Sequence, residues 1–150
     1  MRNLRFMFID VPWFLCFLPE VSAQINISLE VDNPLKVLVN TYVVYLRWNY
    51  TIAGDEVFKE VDFHFGAEYI GYIDTRDLVL SKKFKDRFDL ERPGTLIIHN
   101  VTASDRGMYV FDVKTRGAAK VGSTVYLDVL GKLYFESYTG NTCTYRFSQA

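Results

Sequence analysis

Apolar side chains in this sequence recur at every second position, in short segments set apart by glycine, proline, asparagine and aspartate. That period places alternate side chains on opposite faces of an extended chain, so each segment buries one face and wets the other. Residues 43–50 are the clearest case: Val44, Leu46, Trp48 and Tyr50 fall on one face, and Val43, Tyr45, Arg47 and Asn49 on the other. After a turn at Ala53-Gly54-Asp55, residues 57–65 repeat the pattern, with Val61, Phe63 and Phe65 inward and Glu60, Asp62 and His64 outward. The inward set is Tyr109, Phe111 and Val113 over residues 107–115, and Val125, Leu127 and Val129 over residues 123–129, with Gly117 and Gly122 bracketing the loop between them. Residues 25–31 read as an edge strand that Pro34 ends, and 35–39 continue along the other edge. Residues 69–73, 78–80 and 82–90 read as further strands; after Pro93-Gly94, Leu96 and Ile98 face inward and Val101 packs beneath a corner. Short alternating strands between turn signals predict an all-β, two-sheet sandwich.

The start of the chain is a different kind of segment. Arg2 and Arg5 precede a mostly apolar run over residues 6–18, and Val21-Ser22-Ala23 supplies the small residues that a signal peptidase reads. Residues 1–23 therefore read as a secretory signal cleaved after Ala23, with an uncleaved anchor or a buried segment as alternatives. The domain is expected over residues 24–130. Residues 131–150 show aromatic side chains without a clear period and read as a linker or truncated tail. A chain of 150 residues, 49% hydrophobic and 23% charged, suits one folded domain. No later stretch approaches the roughly 20 apolar residues that span a bilayer, so the expectation is a secreted protein, or one at the extracellular face of the plasma membrane if a longer form carries an anchor. Cys16 lies in the signal, leaving Cys143, and one thiol cannot close an internal loop. It either bridges to another chain or stays free in the tail. A net charge of −1 gives no global field for nucleic acid.

Residues 95–111 read T-L-I-I-H-N-V-T-A-S-D-R-G-M-Y-V-F. This stretch resembles the end of a variable-type immunoglobulin domain, where an L-x-I strand leads through a corner into D-x-G-x-Y-x-C, except that Phe111 stands in place of the cysteine. The resemblance covers residues 25–130 and implies an immunoglobulin-like Greek-key sandwich of the V-set type. It implies that Tyr109 is the corner tyrosine, that Gly107 sits where backbone approaches closely, and that Arg87 and Asp105 pair beneath the sandwich. Leu96 matches the L-x-I strand, and Phe63 or Val61 takes the place of the buried tryptophan. The intersheet cysteine positions correspond to Trp48 and Phe111, so these two rings are expected to meet in the core. A lost disulfide costs about 2–5 kcal/mol, and two buried aromatics offset about as much. Domains with these cysteines replaced are similar to those of invertebrate allorecognition receptors, which bind their own kind.

N-x-S/T sequons stand at Asn26, Asn49 and Asn100. Asn49 is turned outward by the alternation and Asn100 opens a corner, so N-linked glycans there would shield one sheet and leave the other for binding. That other sheet is expected to present Glu60, Asp62, His64, Val110, Asp112, Lys114, Thr124 and Tyr126, either as a contact face for a protein partner, homotypic or not, with Tyr126 as anchor, or as a merely solvated face. The resulting expectation is a cell-surface or secreted recognition and adhesion module; the alternatives are a soluble immune decoy or effector and a glycan-binding module using the basic run Lys82, Lys83, Lys85 and Arg87. Enzyme chemistry has no support: His64 and His99 belong to no metal-spaced cluster, and no nucleophile elbow, phosphate loop or dinucleotide fingerprint appears. Neither a metal nor a cofactor is expected.

Overall fold

A computed structural model describes residues 24–117, 119–139 and 142–148, so the signal segment lies outside the described residues. Twelve strands follow in chain order: β1 Ile25–Leu29, β2 Leu35–Leu38, β3 Val43–Ile52, β4 Phe58–Phe65, β5 Glu68–Asp74, β6 Leu78–Leu80, β7 Phe88–Glu91, β8 Thr95–His99, β9 Gly107–Thr115, β10 Val121–Leu130, β11 Leu133–Thr139 and β12 Thr142–Phe147. One sheet has the order β1-β3-β8-β7, and the other β2-β10-β9-β4-β5-β6. Between β1 and β2 the chain passes from the first sheet to the edge of the second, where β2 pairs parallel to β10.

The two inner faces meet on the expected side chains. Leu46, Phe63, Leu96, Ile98, Val101, Tyr109, Phe111, Val113, Val125 and Leu127 are fully buried, and Trp48 nearly so. Trp48 from the four-stranded sheet stacks on Phe111 from the six-stranded sheet, with centroids 5.2 Å apart and planes 5° from parallel. Phe63 sits edge-on to both, 6.2 Å from Trp48 and 5.3 Å from Phe111. Gly94 lets the β7–β8 turn cross close to this stack: a Cβ there would lie 2.8 Å from the Phe111 ring and 2.9 Å from the Trp48 carbonyl.

The corner before β9 is closed by polar contacts. Asp105 accepts hydrogen bonds from the Thr102 backbone N–H at 2.7 Å and the Thr102 hydroxyl at 3.0 Å, and pairs with the Arg87 guanidinium. The Tyr109 hydroxyl donates to the Asp105 carbonyl at 2.9 Å. Burial, and then the Asp105 charge, push the Tyr109 pKa upward, which keeps that donor protonated. Gly107, at φ 155°, would place any Cβ 2.7 Å from the Phe65 ring.

Two segments depart from the sequence expectation. Residues 82–87 form turns, and the strand opens only at Phe88. Phe84 and Phe88 are both buried and stand edge-to-face at 5.1 Å. In an extended strand, residues four apart share a face but lie about 13 Å from each other, too far for their rings to touch, whereas one helical turn brings them together, so the chain coils, with the Phe88 N–H donating to the Phe84 carbonyl. Lys82, Lys83 and Lys85 consequently do not line an edge strand, and Lys83 pairs with Glu68. Where a linker or tail is expected, β11 and β12 pair antiparallel with Thr139 opposite Thr142, and Gly140-Asn141 in the sequence is a two-residue hairpin signal. Cys143, on β12, is exposed and free.

Candidate recognition face

Register places the eight outward residues on one face of the six-stranded sheet. Glu60 lies opposite Lys114, Asp62 opposite Asp112 and His64 opposite Val110 across β4–β9; Val110 lies opposite Thr124, and Met108 opposite Tyr126, across β9–β10. Their exposure is uneven. Tyr126 and Met108 are 42% and 48% exposed, whereas Asp62 and Asp112 are each only 5% exposed. The expectation that both aspartates lie in solvent is thus corrected: they point outward but are covered.

The physical reason is charge. Opposed carboxylates on neighbouring strands repel, and a buried one needs a partner. Lys114 reaches across to pair with Asp62 and lies 3.1 Å from Glu60 Oε1. Lys120 lies 2.8 Å from Asp112 Oδ2, and His64 Nε2 is 3.9 Å from the same oxygen. Gly122 stands opposite Asp112, where a Cβ would collide with the carboxylate. The hydrogen bonds of Lys114, to Asp62 first, hold its pKa above the ordinary lysine value against the desolvation that lowers it.

Beyond His64 the face continues into β5. A register shift between Phe63 and His64 sets Tyr69 opposite His64, with the rings 5.3 Å apart. Tyr69 is 43% exposed; burial, and then the charges of Asp62 and Glu60, push its pKa up to about 12. Tyr69, Met108 and Lys120 were absent from the residues that alternation picked out. Met108 was within reach, since it shares parity with Val110 and Asp112, but the bulge that aims Tyr69 and the loop that carries Lys120 leave no periodic trace. Along the upper part of β10, Asn33 donates to the Thr124 carbonyl at 3.1 Å and accepts from the Tyr126 N–H at 3.0 Å.

The sequon asparagines occupy the other sheet. Asn26 on β1 and Asn49 on β3 are exposed, and Asn100, at φ 51°, is exposed just after β8. Across the β1–β3 ladder Asn26 stands opposite Thr51 and Asn49 opposite Ser28, so the two sequons interleave. The Asn49 side-chain amide donates to Glu30.

No protein-family model matches the chain, and no curated protein matches it. Solved structures do. Murine CRIg aligns with a TM-score of 0.52 at 18% identity, over 69% of this chain and 98% of that one. The first immunoglobulin-like domain of human CD48 aligns at 0.56 and 19%, over 77% and 96%. The V domain of amphioxus IgVJ-C2 aligns at 0.50 and 17%, over 63% and 98%. The chain has the fold of a variable-type immunoglobulin domain, a sandwich of two sheets closed by the corner around Tyr109. Among the described residues no helix is long and apolar enough to cross a membrane.

Proposed function

We propose that this domain is an exported, glycosylated recognition module that binds a protein partner, its own kind included, through the outer face of the six-stranded sheet. The observation that carries the reading is the Tyr126–Met108 pair, two exposed apolar side chains side by side on β10 and β9 within a field of mutually paired charges. An apolar centre with a polar rim is the composition of protein interfaces, and tyrosine is a frequent anchor there. The distribution of the sequons agrees: Asn26, Asn49 and Asn100 all belong to the four-stranded sheet or its end, so glycans on them leave the opposite face open. The immunoglobulin-fold neighbours are recognition modules in kind, which favours binding over catalysis. The glycan-binding alternative loses its contiguous basic row, because Lys82, Lys83 and Lys85 are spread over turns and Lys83 is engaged by Glu68.

Sedimentation velocity at rising concentration tests the reading. Concentration-dependent association that Tyr126→Arg abolishes, with the melting temperature unchanged, is the expected outcome for homotypic contact. Association that survives Tyr126→Arg places the contact elsewhere and defeats the assignment of this face.

A further inference from the structure

The geometry points to an anion-binding groove at the loop end of the sandwich, in which Arg76 and Arg116 take the carboxylates of an acidic peptide segment belonging to a protein partner. The groove, about 390 Å³, lies where the start of β4, the β5–β6 turn and the end of β9 come together, and Val57, Lys59, Arg76 and Arg116 line it with Glu60 and Asp74. Three cationic side chains thus converge from segments far apart in sequence.

The acids in the groove are already committed. Asp74 Oδ1 accepts from the backbone N–H groups of Arg76 at 2.7 Å and Asp77 at 2.6 Å, and Glu60 Oε1 lies 3.1 Å from Lys114. The arginines are not. Among the described residues Arg87 pairs with Asp105, Arg106 with Asp128 and Arg146 with Glu136; Arg92 donates to backbone carbonyls, and Arg47 lies over the Tyr45 ring. Among the described residues, Arg76 and Arg116 are the two whose guanidinium groups have no hydrogen bond, ion pair or ring contact; both are exposed, and both line this one groove.

Each is also held in place by its backbone. The Arg116 N–H donates to the Val57 carbonyl at 3.0 Å, and Glu56 accepts from the Gly117 N–H at 3.2 Å, which ties the β9–β10 loop to the β3–β4 loop. The 74–77 turn that carries Arg76 is closed by Asp74 and braced by Arg92 donating to the Asp74 and Asp77 carbonyls. Pre-set cations bind anions at lower entropic cost than mobile ones. A planar guanidinium offers two parallel N–H donors that match the two oxygens of a carboxylate. Val57, 54% exposed at the rim, supplies an apolar contact for the methylene stem of a glutamate, which favours an acidic peptide over a sulfated sugar. The groove shares Glu60 with the outer face of the six-stranded sheet, but neither Tyr126 nor Met108 lines it, so either assignment can fail without the other.

The experiment is fluorescence anisotropy of a fluorescein-labelled hexaglutamate peptide titrated with residues 24–150 of the chain, at low and at physiological salt, beside a labelled heparin hexasaccharide. Binding of hexaglutamate that weakens about tenfold or more in Arg76→Gln/Arg116→Gln, the scale of losing charge-assisted hydrogen bonds, is the expected result. In the control Lys82→Gln/Lys83→Gln/Lys85→Gln the affinity stays within about twofold of wild type, the scale of screened surface charge. Melting temperatures of both variants should match wild type, because the backbone bonds of the two arginines persist in glutamine and their guanidinium groups make no hydrogen bond or ion pair among the described residues. Absence of hexaglutamate binding, equal weakening by the two variants, or tighter binding of the heparin hexasaccharide overturns the proposal.

Discussion

Trp48 occupies a position at which the variable-type pattern places a sulfur, and the ring does two things there that differ in sign. Its face lies flat on Phe111, joining the sheets by area and ring contact. Its indole N–H, however, is buried and finds no acceptor among the described residues, and an orphaned buried donor costs about 1–3 kcal/mol. The stack and not the indole nitrogen is what the core requires. Trp48→Ala is therefore expected to cost about 3–5 kcal/mol in urea unfolding, since it leaves a cavity between the sheets. Trp48→Phe keeps an aromatic face over Phe111 and removes the orphan, so it should stay within about 1.5 kcal/mol of wild type. A phenylalanine variant as damaged as the alanine one would mean that the indole makes a bond essential to the core.

At the scale of elements, β4 and β9 hold the tension of the molecule: two inward rings, Phe63 and Phe111, directly opposite each other, and two outward aspartates, Asp62 and Asp112, one register step away. Lys114 relieves that tension at the β4 side, and the relief is conditional on its proton. Because its pKa is raised in the fold, the folded state binds the proton more tightly than the unfolded chain does. The contribution is intact below the ordinary lysine value of about 10.4 and is lost as pH rises through the folded value. Tyr69, whose pKa stands at about 12, ionises beyond the start of that window. The urea midpoint of Lys114→Met is expected to lie below wild type near neutral pH, and the gap should narrow above about pH 10.4 as wild type loses its ammonium. A gap of constant width across that range would show that the lysine acts by packing alone. Strands of this kind were legible in the sequence because burial on one face writes a period of two, as in Val44, Leu46 and Trp48 on β3 or Val125, Leu127 and Val129 on β10. Alternation assigns a side, not a depth, so it turned Asp62 outward and could not say that neighbouring strands would cover it. It also failed at residues 82–87, where Phe84 and Phe88 bury together through a coil, and over β11 and β12, where the lack of a clear period gave no sign of strands. The groove of Arg76 and Arg116 was invisible for a different reason, since residues forty positions apart become neighbours only through the pairing of β9 with β4 and β4 with β5.

The molecule as a whole divides its surface between its sheets. One sheet and its end display Asn26, Asn49 and Asn100; the other displays Tyr126, Met108 and Tyr69 among paired charges. The interleaved sequons on β1 and β3 put two acceptor asparagines on one side of a single ladder, with β1 at the sheet's edge. Glycans there would block the open edge of β1 from pairing with another strand, which is the usual hazard of an edge, while leaving the opposite sheet untouched. In a secretory host the protein is expected to shift to lower mass on treatment with an N-glycosidase, and Asn26→Gln/Asn49→Gln/Asn100→Gln should abolish the shift. Association through Tyr126 should be the same with and without glycans, because the two lie on opposite faces, whereas the deglycosylated protein should aggregate sooner through β1. If removing the sugars abolished association while the fold remained, the contact would have to include the glycosylated sheet, and the division of labour between the two faces would be wrong.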